Sequence, residues 1–200
     1  MSMTDPGTAP GNATASIVPG HHGDGLPQTV RILPVERAIE WIRAWAELDW
    51  PITWETAYAT RDKLGWKPAP DDGRFFTTEL SANGQVDGSI SQFEGEASGA
   101  NIPLSSVIPV GQENDRSTPT TWEAYNAYVE AVSRIYGQGK KRTGRHGTIQ
   151  VDWTLPNGVT LNIGALPGLV EAIIESPALT EINEHELHYI EKYGEDYVDD

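Results

Sequence analysis

TIQVDWTLPNGVTLNI, residues 148–163, decides the class of fold. Ile149, Val151 and Trp153 alternate with polar residues, and Val159, Leu161 and Ile163 repeat that pattern beyond Asn157-Gly158. A period of two puts each apolar set on one face of a strand, and Asn-Gly tolerates the positive φ of a tight reversal. The stretch therefore predicts a β-hairpin with one buried face. Residues 74–80 read as another strand, Asn83-Gly84 as its turn and residues 86–93 as its return. LVEAII, residues 169–174, is too short to separate strand from helix. Residues 94–106 are small, polar and glycine-containing and read as a loop. Residues 104–110 read as a short strand weakened by Pro103 and Pro109.

Helical periodicity appears three times. Val35, Ile39, Ile42 and Ala46 share one face, with Trp41, Trp45 and Leu48 beside it. So wide an apolar arc predicts a helix buried on more than one side, entered at Pro34 and ended by Pro51. Thr53 is the expected N-cap of a second helix reaching Leu64. Gly65 follows as its left-handed stop, with Trp66 packing back. Thr120 and Glu123 fit a capping box ahead of Trp122, Tyr125, Val129, Val132 and Tyr136, and Gly137 ends that helix. The seven tryptophans are expected in the core. Together these elements predict an α+β fold, a single domain over residues 30–180 with antiparallel hairpins packed against helices. Helix-then-hairpin order, with an Asn-Gly turn, occurs in both halves and suggests two related units. Residues 1–29 hold five glycines and four prolines and are expected to be a disordered leader. His21 and His22 within it read as solvated.

Charge narrows the function. The 200 residues carry a formal charge of -15 with a pI near 4.6. That balance argues against nucleic acid and against anionic lipid, both of which require a Lys/Arg surface. The absence of cysteine excludes disulfides, thiolate metal sites and cysteine nucleophiles. No apolar run approaches the ~20 residues of a membrane helix, and no signal-peptide pattern opens the chain, so a cytoplasmic location is expected. Residues 171–200 hold ten acids and one base, Lys192, which is -9 of the total -15. Residues 181–200 thus read as an acidic tail, partly helical. Its Glu184, Glu186, Glu191, Glu195 and Asp196 are the candidate partner-binding residues.

Catalytic patterns are missing from the sequence. His185 and His188 in EHELH are one residue short of the HExxH spacing, and Asp71-Asp72-Gly73 lacks the further oxygen ligands of a calcium loop. No G-x-S-x-G elbow occurs. Neither a metal nor a cofactor is expected. One segment runs against the overall charge. GQGKKRTGRHG, residues 137–147, gathers Lys140, Lys141, Arg142, Arg145 and His146 between glycines. A phosphate-cradling loop would need Ser or Thr after Gly-Lys and a helix behind it, whereas Lys141 follows Lys140 and a strand comes next. The segment reads as a solvated loop. Its functional alternative is an anion or acidic-partner site, as in a small-molecule or nucleotide-binding domain.

Three segments carry a family resemblance: Ala57-x-x-x-Arg61-Asp62-x-Leu64-Gly65-Trp66, Val151 to Leu161, and Glu175-Ser176-Pro177. They resemble a family of small, uncharacterised actinobacterial proteins, some found beside type VII secretion and polymorphic-toxin genes. The resemblance covers residues 30–180. It implies an immunity-type protein that binds and blocks a cognate toxin without being an enzyme. An acidic inhibitor of a basic toxin would gain association rate and specificity from complementary charge.

Overall fold

The computed structural model describes residues 29–109, 111–113, 117–143, 148–183 and 185. In chain order they form α1 (Val35–Ala46), α2 (Trp54–Lys63), β1 (Lys67–Pro68), β2 (Phe75–Thr77), β3 (Gly88–Phe93) and β4 (Glu96–Pro103). Then follow α3 (Ser117–Tyr136), β5 (Lys140–Thr143), β6 (Ile149–Thr154), β7 (Thr160–Leu166) and β8 (Leu169–Glu175). A short helix, α4, covers residues 177–183. All eight strands join one antiparallel sheet in the order β1-β2-β3-β4-β8-β7-β6-β5. Each half is a meander of four strands preceded by helix. The last strand of each half, β4 and β8, meets the other at the centre, from Gly99 opposite Glu175 to Pro103 opposite Glu171. That order is topologically two-fold, in keeping with two related units.

One face of the sheet forms the core. Ile90, Ala100, Ile102, Val151, Trp153, Leu161, Ile163, Val170, Ala172 and Ile174 are all buried on it. Above them α1 packs on α3, β4 and β8, and α3 packs on β7 and β8. The helices form where periodicity places them. The Thr53 hydroxyl accepts the Thr56 amide at 3.2 Å, capping α2. Gly65, at φ +80°, then turns the chain so that Trp66 is buried. Trp66 stacks on Phe76 at 4.5 Å and meets Trp41 edge-on at 5.1 Å. The Tyr128 hydroxyl reaches the carbonyls of Leu33 at 2.6 Å and Leu104 at 2.9 Å, fixing α3 to two backbone segments.

The hairpin of residues 148–163 stands as predicted, with Val151 opposite Ile163 and Trp153 opposite Leu161. Gly158 takes φ +81° in its turn. LVEAII is strand, the core of β8. Several expectations need correction. Residues 94–106 are not a loop: Glu94 and Gly95, both at positive φ, make a tight turn into β4. Alanine, serine and glycine are poor strand formers in isolation, but β4 is held by pairing on both sides. Residues 104–109 are correspondingly not a strand. The first hairpin is looser than expected. β2 has only three residues, and residues 78–87 intervene before β3. There the Asp87 carboxylate closes the loop on the Thr78 amide and hydroxyl, both at 2.7 Å. α3 begins at Ser117, so Thr120 lies within its first turn and is not a capping residue. Pro119 fits that turn because no intrahelical N–H is required there. The tryptophans divide. Trp41, Trp45, Trp66 and Trp153 are buried, whereas Trp50, Trp54 and Trp122 are only half-buried. Residues 1–28, with His21 and His22, lie outside the described residues, as does His188.

Candidate functional site

Lys140, Lys141 and Arg142 are not in a loop but form β5, an edge strand of the sheet. Pairing fixes their directions. Lys141 lies opposite Val151 on the helix-covered face, and Lys140 and Arg142 lie opposite Asp152 and Gln150 on the other face. Beside β5 is a groove of about 330 Å³, bounded by α3 through Tyr125, Asn126 and Val129. Lys141, Arg142, Thr143 and Gln150 supply its polar wall, and Ile149 and Val151 its apolar floor. Burial raises the Tyr125 hydroxyl above its ordinary pKa, and the Asp152 charge adds to that. Tyr125 is therefore a neutral donor at physiological pH. Arg145 and His146 lie outside the described residues.

The second region is the face of the sheet opposite α1–α3. Its strands present Ser89, Asn101, Asp152, Thr160, Asn162, Glu171, Ile173 and Glu175 by register. Polar contacts run across it. Arg142 Nε lies 2.7 Å from Asp152 Oδ2, an ion pair off the hydrogen-bond direction, and Asn162 donates to Asp152 Oδ1 at 2.5 Å. Burial pushes Glu171 above the usual carboxylate range, and a bond with Asn101 opposes this. Glu175 is likewise raised, chiefly by burial, against a bond from Asn183. α4 rests on this face: the Thr180 and Thr160 hydroxyls meet at 3.1 Å, and Asn183 donates to both Glu175 oxygens at 3.1 Å. Glu184, Glu186, Glu191, Glu195 and Asp196 lie outside the described residues. The chain enters that acidic segment from this polar face.

Asp152, Glu171 and Glu175 escaped the sequence reading as site residues, though a signal was present. Each is the polar member of an alternating strand, and the strand order brings them to one face. Arg61 is a buried charge with a structural task. It donates to the Gly73 carbonyl at 2.5 Å and pairs with Asp62 at 2.7 Å, anchoring α2 to the β1–β2 loop. No group of three or more His, Asp or Glu that could hold a metal occurs among the described residues. No helix among them is long and apolar enough to cross a membrane.

Fold and site together define an α+β protein with one antiparallel sheet, α1–α3 on one face and a polar face opposite that carries only the short α4. Residues 36–176 match DUF6301, a family of unknown function, and the chain belongs to that family. No curated protein and no solved structure matches it.

Proposed function

We propose that this is a non-enzymatic, partner-binding protein of the cytoplasm: an immunity-type inhibitor whose acidic surface occupies the basic cleft of a cognate toxin. The observation that carries the reading is the polar sheet face. It displays Asp152, Glu171 and Glu175 and leads through α4 into residues 184–200, which hold seven acids and one base. Half-burial costs these carboxylates hydration that their neutral partners Asn101 and Asn183 offset only in part. A cationic partner would compensate them on binding. The family resemblance of residues 30–180 supports the same reading.

The test uses two baits: the full chain, and the same chain with Glu184, Glu186, Glu191 and Glu195 changed to Gln and Asp196 to Asn. Each is used to capture proteins from native lysate at low and high salt. One stoichiometric basic partner, held by the first bait at low salt and released at high salt, is expected. Co-expression should then relieve that partner's toxicity. Equal capture by both baits, indifferent to salt, would overturn the reading.

A further inference from the structure

The sheet ends differently at its two edges. β1 is two residues long and contains Pro68, which has no N–H to offer. β5 is four residues long, has no proline, and pairs only with β6 among the described residues. One row of its backbone N–H and C=O groups is therefore available to another strand. The groove between β5–β6 and α3 lies on the helix-covered face of β5, with Val129 and Ile149 as its partly exposed apolar surface. Lys140 and Lys141 have no ion-pair partner among the described residues, whereas Arg142 is paired with Asp152.

We propose that β5 receives an extended acidic segment of a partner protein as an added strand. Main-chain hydrogen bonds to residues 140–143 would supply affinity, and the groove would supply sequence preference. A strand's side chains alternate. Those turned to the helix-covered face would be apolar, beside the stems of Lys141 and Thr143 at the rim of the groove. Those turned to the other face would be carboxylates beside Lys140 and Arg142. The cations also select against the wrong occupant. A second copy of β5 would set Lys140, Lys141 and Arg142 against their own kind, which disfavours edge-to-edge pairing. This edge borders the acidic face proposed above at the Arg142–Asp152 pair, but the backbone row it offers does not depend on that reading.

The probe is a labelled, end-blocked heptapeptide alternating glutamate and valine, titrated into the full chain by fluorescence anisotropy. Two further peptides accompany it: lysine replacing glutamate, and the original with alternate amides N-methylated. The glutamate peptide should bind and slow amide exchange at residues 140–143. N-methylation should weaken it by about tenfold or more, as should Lys140→Glu with Lys141→Glu. The methylated peptide leaves the protein untouched, so its effect stands even if the double variant unfolds. Equal binding of the methylated peptide would reduce the contact to charge alone and overturn strand addition. Equal binding of the lysine peptide, exchange protection elsewhere, or no binding at millimolar peptide would overturn it as well.

Discussion

The two halves of the sheet fill one core with opposite allocations of volume. In the second half the strands bring the bulk, through Val151, Trp153, Leu161, Ile163 and Ile174. α3 lies over them with Ala124, Tyr125, Tyr128 and Val132. In the first half β3 and β4 are smaller, with Gly88, Ala97 and Ala100 beside Ile90 and Ile102, and the bulk comes from Trp41 and Trp45 of α1, Trp66 of the turn after α2 and Phe76 of β2. A Cβ on Gly88 would lie 2.2 Å from the Phe76 ring. Gly88 is thus small because the ring of its cross-strand partner Phe76 fills the space, interiors being packed to a nearly fixed density. Polar satisfaction differs too. The indole N–H groups of Trp41, Trp45 and Trp66 are buried without an acceptor among the described residues, whereas that of Trp153 donates to the Gly137 carbonyl at 2.9 Å.

The largest expected effect breaks the first half alone. Trp66→Ala removes the ring between Trp41 and Phe76 and should cost about 3–5 kcal/mol in chemical denaturation. Leu161→Ala in the second half should cost about 2–5 kcal/mol, and a loss below about 1 kcal/mol for either variant would refute its place in the shared core. At the seam, a Cβ on Gly99 would lie 2.1 Å from the Ile174 carbonyl oxygen, a backbone atom with little room to yield. Gly99→Val should cost about 1–3 kcal/mol or more and lower the melting temperature through both halves at once. Two transitions in place of one would show that the halves melt separately. The indole contrast is sharpened by Trp153→Phe against Trp45→Phe. The first strands a carbonyl, while the second relieves an unsatisfied donor, so the first should be worse by about 1–3 kcal/mol. Thr53→Ala removes the α2 cap and should cost about 1 kcal/mol.

The smallest effect is a pH slope. Burial raises Asp87 in one half and Glu171 in the other. A carboxyl raised by folding favours the native state in its protonated form. That contribution is present below the ordinary carboxylate pKa and is lost as pH rises through the raised one. Glu171→Gln should therefore raise the denaturation midpoint at pH 7 and leave it nearly unchanged at pH 3. A gain of the same size at both values would remove the titration as its cause.

The allocation of volume also explains what was legible in the sequence. Where the strand supplies the bulk, alternation is written in β-branched and aromatic residues, and residues 149–163 could be read directly. Where rings from α1, the turn after α2 and β2 supply much of it, β4 is left with EASGANIP, whose alternation is too weak to read as strand. β5 was hidden differently. Its residues were read for their charge, and only pairing to β6 makes them strand. The helices were legible because tryptophan spacing and caps are local properties. α3 was misplaced at its start because Thr120 and Glu123 imitate a capping box one turn late. Of the site, the cations at 140–142 were found but not their edge position. The carboxylates at 152, 171 and 175 were missed because a shared face depends on strand order, which no single segment states.

Joining the halves through their last strands also sets a timetable. β4 is complete at Pro103, but its partner ends at Glu175, about 70 residues later. At typical synthesis rates of ~5–20 residues per second, the ribosome needs about 4–14 s to deliver the missing strand. For that interval the first half has an unfinished edge at what will become the middle of the sheet. Gly99, Asn101 and Pro103 lie along it, a glycine, an amide and a proline, all poor invitations to a neighbouring nascent chain. The strand that looks least like a strand is the one that must wait for its second partner.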